Sequence, residues 1–255
     1  MSNTGLNRRG FLTRGLAAAG ASLLGGCDEL SEQPWVRAIL DKAEILTKAS
    51  QRALIPATAL AREYSEADMS KDFKANGSTN VDDAAYAASA QNGFADWKLK
   101  IGGLVEQPLE LSLAELRGMP SRTQITRHDC VEGWSAIGKW QGPQLGAILA
   151  QAGLLPAARY VVFHCADVLD GLPYYESIDL VDAFHAQTIL AWRMNDTPLS
   201  EGHGAPIRLR VERQLGYKHA KYVMRIEVTP TLAGLYGGQG GHWEDRRGYQ
   251  WYAGI

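Results

Sequence analysis

The segment that decides the fold is TRHDCVEGWS, residues 126–135. It places Cys130 among a cation, an imidazole and two carboxylates, with a glycine and a tryptophan close behind. Apolar residues on either side predict a strand that ends in a turn, where side chains can meet a ligand. Three roles are open for the thiol. Arg127 and His128 would lower its pKa and make it a nucleophile, the thiolate would bind a soft redox metal, or the cysteine packs as a small hydrophobe.

A second block follows later in the chain, HGAPIR at 203–208 and then GYKHAK at 216–221. Arg208 offers a planar fork for a phosphate or for ring edges, and Lys221 offers a point charge. The glycines allow backbone N–H groups to approach a ligand. From the residues alone, the block is either a cofactor cradle or a solvated basic hairpin on an edge strand.

Both blocks, together with GKWQG at 138–142, resemble the sulfite oxidase family over about residues 73–252. The resemblance implies an α+β fold, a mixed and β-rich molybdopterin-binding domain, here expected without the family's C-terminal dimerisation domain. It also implies a molybdenum–molybdopterin cofactor whose metal takes the Cys130 thiolate as a ligand. The metal would exchange an oxygen atom with the substrate, while the protein supplies position and electrostatics.

The resemblance assigns further cofactor contacts. FKAN at 73–76 matches the ends of an F-x-x-N motif and makes Asn76 one of them. Cys165 stands where the bacterial periplasmic, methionine-sulfoxide-reducing branch has a cofactor-contacting threonine, with a plain core cysteine as the alternative. The second block supplies the remaining expected contacts: His203, Arg208, His219 and Lys221.

Around the metal, the expected catalytic residues are Cys130, Arg127, His128 and Tyr249. Tyr249 comes from a glycine-rich aromatic tail that resembles a W-x-x-R-x-Y run of sulfite oxidases. Its hydroxyl would donate a hydrogen bond to the transferred oxygen.

The sulfite-oxidising members carry an arginine directly before the motif asparagine, whereas this chain has Ala75. Sulfite is a dianion that needs converging cations, so the missing arginine favours reduction of neutral S- or N-oxides. One alternative is sulfite oxidation, with Lys74 or Arg127 supplying the charge. An alternative of another class is a non-catalytic cofactor- or ligand-binding lipoprotein, which an intact Cys130 beside the cradle argues against.

The first 27 residues predict an export signal. NRRGFL at 7–12 is a twin-arginine motif, and 15–26 is a short run of small and weakly apolar residues. LGGC at 24–27 resembles a lipoprotein cleavage box, which makes Cys27 a lipid anchor, and Asp28 resembles an inner-membrane retention signal. The expected location is the periplasm, anchored to the inner membrane. Twin-arginine export carries folded proteins and therefore suits a cofactor inserted in the cytoplasm.

The remaining chain divides into a helical arm at 28–68 and a catalytic domain at 69–255. Residues 32–62 predict an amphipathic helix broken near Pro56, and 69–92 predict a long loop. Losing 1–27 removes three arginines and no acid, so the net charge falls from −2 to −5, which argues against nucleic acid.

No C-x-x-C-H haem motif occurs in the sequence, so electrons are expected from a separate haem or quinone-linked protein. The expected assembly is a monomer. The two cysteines that follow the export signal, Cys130 and Cys165, could form a disulfide in an oxidising compartment, an alternative that competes with metal binding by Cys130.

Overall fold

The structure is a computed structural model, and it describes residues 33–255. The chain divides into two compact units between residues 51 and 52. Helix α1, Pro34–Leu54, begins at a proline, which suits a first helical turn. It ends just before Pro56, because the residue preceding a proline is disfavoured in helical conformation. The predicted amphipathic helix is therefore confirmed, but it stops at Leu54 and does not reach residue 62.

The larger unit is built on a mixed five-stranded sheet in the order β2-β1-β11-β5-β6. Strands β1 and β11 run parallel, and the other neighbours are antiparallel. The strands are β1 Lys98–Gly103, β2 Leu109–Ser112, β5 Tyr160–Leu169, β6 Leu172–Asp179 and β11 Val223–Thr229.

A second sheet has the order β3-β4-β8-β9, and β7 pairs with β10 in a separate two-stranded ladder. These strands are β3 Ser121–Asp129, β4 Ser135–Pro143, β7 Ile189–Ala191, β8 Arg193–Met194, β9 Thr197–Pro198 and β10 Arg208–Arg210. The helices of this unit are short: α2 Ala84–Gln91, α3 Leu113–Gly118, α4 Leu145–Ala152, α5 Leu180–Ala183 and α6 His242–Arg247.

The predicted loop at 69–92 is wrong in its last third, which forms α2. Alanine has the highest helix propensity, and the run of alanines here outweighs the polar composition around it. The side chain of Asp83 caps the helix by accepting a hydrogen bond from the backbone N–H of Tyr86.

The main core lies between the five-stranded sheet and helix α4 and contains Leu99, Leu149, Phe163 and Ile226. Strand β3 differs because its buried face is polar and carries Gln124, Thr126 and His128. That face contacts the buried polar side chains of β10 and the residues after it, and this contact positions the site. Within residues 33–255, no helix has the length and apolar character needed to cross a membrane.

Candidate active site

The site is built around the turn between β3 and β4, as the sequence predicts. The N–H of Cys130 donates to the carbonyl of Trp134 at 2.9 Å, and the N–H of Gly133 donates to the carbonyl of Cys130 at 3.0 Å. Gly133 has φ of 86°, a left-handed conformation that glycine adopts without strain. These bonds fix Cys130, which is only 7% exposed, at the first position of the turn.

Cys130 lies in the wall of a cavity formed by segments that are distant in sequence. The side-chain amide of Asn76, in the loop that precedes α2, donates to Cys130 Sγ at 3.4 Å. Of the predicted site residues, six line this cavity: Asn76, Cys130, Arg208, His219, Lys221 and Tyr249. The other four, Arg127, His128, Cys165 and His203, are not among its lining side chains.

Arg127 lies on the outer face of β3, where it pairs with Asp129 at 2.9 Å and remains exposed. His128 points the other way and is buried, because successive side chains of a strand alternate between faces. The expectation that both residues reach the reacting oxygen is therefore not met by this geometry. Strand alternation, which can be read from the sequence, already implies that Arg127 and His128 cannot both face the site.

His128 lies behind the cavity wall. Arg210 donates to its Nδ1 at 3.0 Å, so the proton of the neutral ring is on Nε2. Burial, followed by the charge of Arg210, holds the pKa of His128 well below its usual value. Its ring packs against Gly216, where an added Cβ would come within 2.4 Å of Nε2. His128 therefore shapes the wall through Gly216.

The nucleophile interpretation of Cys130 fails on the same geometry. Burial raises the pKa of the Cys130 thiol, and the hydrogen bond from Asn76 only partly opposes that rise. Neither Arg127 nor His128 provides a neighbouring positive charge to stabilise a free thiolate. Cys130 and Cys165 are both free thiols, so the disulfide alternative is also wrong.

Arg208 is a buried cation without an ion-pair partner in the part of the chain described. Its Nη1 donates to the carbonyl of His203 at 3.2 Å, and its Nε has no hydrogen-bond partner there. Its guanidinium lies 5.0 Å from the centre of the Trp140 ring. Burial, with the charge of Arg210 as a second cause, lowers the pKa of Arg208 to about 9.

Lys221 is a second such cation. Its Nζ donates to the carbonyls of Asn76 at 2.8 Å and Gly202 at 3.1 Å, and to that of Ser78. No carboxylate lies within ion-pair distance of it among residues 33–255. Burial, followed by the charge of Arg208, lowers the pKa of Lys221 to about 7.

Other buried cations of this domain are paired. Arg210 binds Glu212 at 2.6 Å, Arg213 binds Asp182 at 2.6 Å, and Lys218 binds Glu176 at 2.6 Å and also Glu244. A buried charge without a counter-ion is costly, so the cavity holding the two unpaired cations is suited to an anion.

His219 adds a hydrogen-bond acceptor to the same cavity. Its Nε2 donates to the carbonyl of Gln214 at 3.0 Å, and its Nδ1 has no partner within the described residues. Burial, followed by the charge of Arg210, holds the pKa of His219 well below its usual value, so the ring is neutral. The unprotonated Nδ1 can therefore accept a hydrogen bond from a ring N–H group of a ligand.

His203 and Cys165 support the site from outside the cavity. His203 bonds to the carbonyl of Phe73 at 3.0 Å through Nε2 and to Ser200 at 2.8 Å through Nδ1, which fixes the segment that carries Asn76. Cys165 lies within β5, and burial raises the pKa of its thiol well above the ordinary value. Its position fits the alternative of a plain core cysteine.

The cavity also contains residues that the sequence reasoning missed: Ser78, Glu132, Asp167, Tyr174, Tyr217 and Trp243. Glu132 accepts from Trp134 Nε1 at 3.0 Å and from Lys74 Nζ at 3.4 Å. Because Glu132 follows Cys130 by two residues in a tight turn, the sequence could have predicted that it lies beside the site. The others come from the loop before α2, from β5 and β6, from the short helical turn after β10 and from α6, and only the fold brings them together.

The residues present fit a molybdopterin cofactor. Within residues 33–255, no three His, Cys, Asp or Glu side chains converge to hold a metal by themselves. The cavity instead offers one soft sulfur, two cations without a carboxylate partner and a neutral imidazole acceptor. That donor set suits an anionic ring cofactor that brings most of the metal's ligands with it.

Comparison with known proteins agrees with a molybdopterin site. Residues 85–234 match the family model of the oxidoreductase molybdopterin binding domain. The chain is 36% identical over 247 residues to a protein of Azospira oryzae named as protein-methionine-sulfoxide reductase subunit YedZ1, covering 97% of this chain and 87% of that one. It is 34% identical over 165 residues to the protein-methionine-sulfoxide reductase catalytic subunit MsrP of Xanthomonas axonopodis, covering 60% of this chain and 51% of MsrP.

Among solved structures, the sulfane dehydrogenase SoxCD of Paracoccus pantotrophus superposes with a TM-score of 0.50. The match covers 54% of this chain and 39% of that one at 24% identity, which supports the fold alone. The chain is thus a member of the oxidoreductase molybdopterin binding domain family, an enzyme with the mixed, β-rich fold of sulfite-oxidase-type proteins.

Proposed function

We propose that this enzyme uses a molybdenum–molybdopterin cofactor to reduce S-oxides, with methionine sulfoxide in polypeptides as the substrate class. The observation that carries the proposal is the Cys130 thiol in the wall of a cavity where Arg208 and Lys221 lack counter-ions. The relatives named as methionine-sulfoxide reductases support the choice of substrate. N-oxides make the same chemical demands, so they are expected as slower substrates.

Arg208 and Lys221 would bind the anionic groups of the cofactor, and His219 Nδ1 would accept from its ring. Cys130 would ligate the metal, with the Asn76 amide stabilising the thiolate. When bound, the cofactor supplies two-electron oxygen-atom transfer at molybdenum. The remaining contribution of the protein is to bind, orient and protonate the substrate.

Glu132, which lines the cavity two positions from Cys130, is paired with Lys74, and Ala75 takes the place that an arginine has in the sulfite-oxidising members. Tyr249 lines the cavity and can donate to an S–O oxygen. A neutral sulfoxide needs one such donor, whereas sulfite needs several cations. Reduction consumes two electrons and two protons, and it releases the sulfide and one water.

We infer that the electrons come from a separate haem or quinone-linked protein, because the sequence has no haem-attachment motif. The twin-arginine motif and Cys27 support export to the periplasm and a lipid anchor in the inner membrane. Both lie outside the described residues, and the proposal rests on the sequence alone. A monomer that meets its electron donor at the membrane surface is consistent with this location.

The test is metal content and turnover in the same preparation. Protein produced with its own signal should contain about one molybdenum per chain and reduce methionine sulfoxide with an artificial electron donor. Cys130→Ala should lose both the sulfur-to-metal charge-transfer absorption and the activity. Cys165→Ala, the matched control at the other thiol, should keep both. Wild-type protein that is active without molybdenum would contradict the proposal.

A further inference from the structure

A second cavity lies on the other side of helix α6 and has a volume of about 300 Å³. It is formed by the start of β6, the glycine-rich tail and α6. The residues that matter for its chemistry are Leu172, Tyr175, Tyr236, His242 and Arg246. None of them lines the candidate active site.

The two cavities are neighbours. Tyr174 and Tyr175 are consecutive on β6, and the first lines the active-site cavity while the second lines the other one. On α6, Trp243 lines the active-site cavity and His242 lines the second cavity. The Tyr174 and His242 rings stack with centroids 5.2 Å apart, and helix α6 contributes a side chain to the wall of each cavity.

The second cavity presents a fixed aromatic surface. Tyr236 is 50% exposed, yet its hydroxyl bonds to His164 Nδ1 at 2.9 Å and its ring stacks on Tyr175 at 4.1 Å. The hydroxyl of Tyr175 in turn bonds to Asp245. A pre-ordered exposed ring binds an apolar group with little loss of conformational entropy. Leu172, 45% exposed, extends the apolar surface at the edge.

His242 supplies an unused polar group. It is 2% exposed, and its Nε2 has no hydrogen-bond partner in the part of the chain that the structure describes. A buried polar atom without a partner costs free energy that a ligand can recover. A peptide group beside an apolar side chain offers both the polar atom and the apolar contact.

We propose that this second cavity binds an apolar side chain of a polypeptide substrate whose methionine sulfoxide occupies the active-site cavity. This inference rests on the proposed function. A peptide that reaches from one cavity to the other has to cross α6. A helix with its side chains is about 10–12 Å across, and an extended chain spans about 3.3–3.6 Å per residue. The bound apolar residue therefore lies about three or four positions from the methionine sulfoxide.

The test uses the molybdenum-loaded enzyme and short peptides with a central methionine sulfoxide in a glycine–serine background. A single leucine is moved through the flanking positions, and kcat/KM is measured for each peptide and for dimethyl sulfoxide. Leucine about three or four positions away, on one side, should raise kcat/KM about fourfold or more, mainly through KM. About fourfold is the expected effect of burying one methylene group.

Leu172→Ser and Tyr236→Ser should each remove this preference and leave kcat/KM for dimethyl sulfoxide unchanged. Val181→Ser is the matched control, because Val181 is 44% exposed and follows the opposite end of β6. It should keep the preference.

A wild-type enzyme that reduces all peptides equally would overturn the inference. So would a Leu172→Ser variant that behaves like Val181→Ser. An enzyme that reduces neither the peptides nor dimethyl sulfoxide would instead contradict the proposed function itself, and this inference with it.

Discussion

The side-chain amide of Asn76 lies 3.4 Å from the Sγ of Cys130 and donates a hydrogen bond to it. The backbone carbonyl of Asn76 accepts from Lys221 Nζ at 2.8 Å, so one residue links the thiol to a cavity cation. A donor to sulfur stabilises the thiolate over the thiol. The bond therefore prepares Cys130 for a metal, because burial alone raises the thiol pKa.

Asn76→Asp tests this bond with almost no change in size. The carboxylate replaces a donor by a negative charge, which disfavours the thiolate and weakens its bond to the metal. We expect a shifted or lost charge-transfer absorption and a fall in kcat of about tenfold or more, since bonds to charged groups contribute about 1.5–3 kcal/mol. Asn80→Asp, on the same loop, is the control. Equal absorption and kcat in Asn76→Asp and wild type would show that the bond is unimportant.

Lys221 should make the stability of the cofactor-free protein depend on pH. Its pKa is about 7 in the folded state against an ordinary 10.5, so the unfolded chain binds more protons between these values. The free energy of unfolding should therefore rise with pH above 7. Between pH 7 and 9 the gain from this residue is about 2 kcal/mol at most.

Urea unfolding of cofactor-free wild type and Lys221→Gln at several pH values measures that gain as a difference in slope. Bound cofactor should abolish the gain, because its anionic group keeps Lys221 charged. Identical slopes for the two proteins would mean that Lys221 keeps its ordinary pKa.

Local patterns in the sequence predicted the cysteine turn and the strand that leads into it, because turn chemistry and alternation are short-range properties. The partners of His128 were not predictable in this way. Its bond to Arg210 joins residues 82 positions apart. The lack of counter-ions at Arg208 and Lys221 is also invisible in sequence, since it depends on which acids the fold gives to Arg210 and Lys218. Helix α2 was missed because composition was given more weight than alanine propensity.

A buried cluster beneath the site should make stability depend on pH in the opposite direction. Lys218 lies between the carboxylates of Glu176 and Glu244, and all three are buried. Burial, followed by the charge of Glu244, raises the pKa of Glu176 well above its ordinary value. The folded state therefore holds a proton that the unfolded chain loses above about pH 4.5, so stability falls as pH rises.

Glu176→Gln copies the protonated acid and should remove this fall. Relative to wild type, its free energy of unfolding should improve steadily from pH 5 to pH 8. Lys218→Met leaves the buried Glu176 and Glu244 without a cation and should lose about 3–5 kcal/mol. A constant difference between Glu176→Gln and wild type across this range would show that Glu176 is ionised throughout.

The proposed lipid anchor predicts how the protein divides between cell fractions. Cys27→Ser should release folded enzyme from the membrane fraction into the periplasm, because one acyl-modified residue supplies the attachment. Arg8→Lys combined with Arg9→Lys should keep it in the cytoplasm. Immunoblots of the separated fractions measure both outcomes. Cys27→Ser protein that stays with the membrane would refute the lipid anchor.

The central claim is that this site reduces neutral sulfoxides in preference to oxidising sulfite. The most direct measurement compares kcat/KM for reduction of methionine sulfoxide with kcat/KM for oxidation of sulfite, in one buffer and one preparation. The account predicts a larger value for the sulfoxide, and a ratio that moves toward sulfite in Ala75→Arg, by roughly ten- to a hundredfold for one charge-assisted bond. Efficient sulfite oxidation by the wild-type enzyme, with little reduction of methionine sulfoxide, would contradict it.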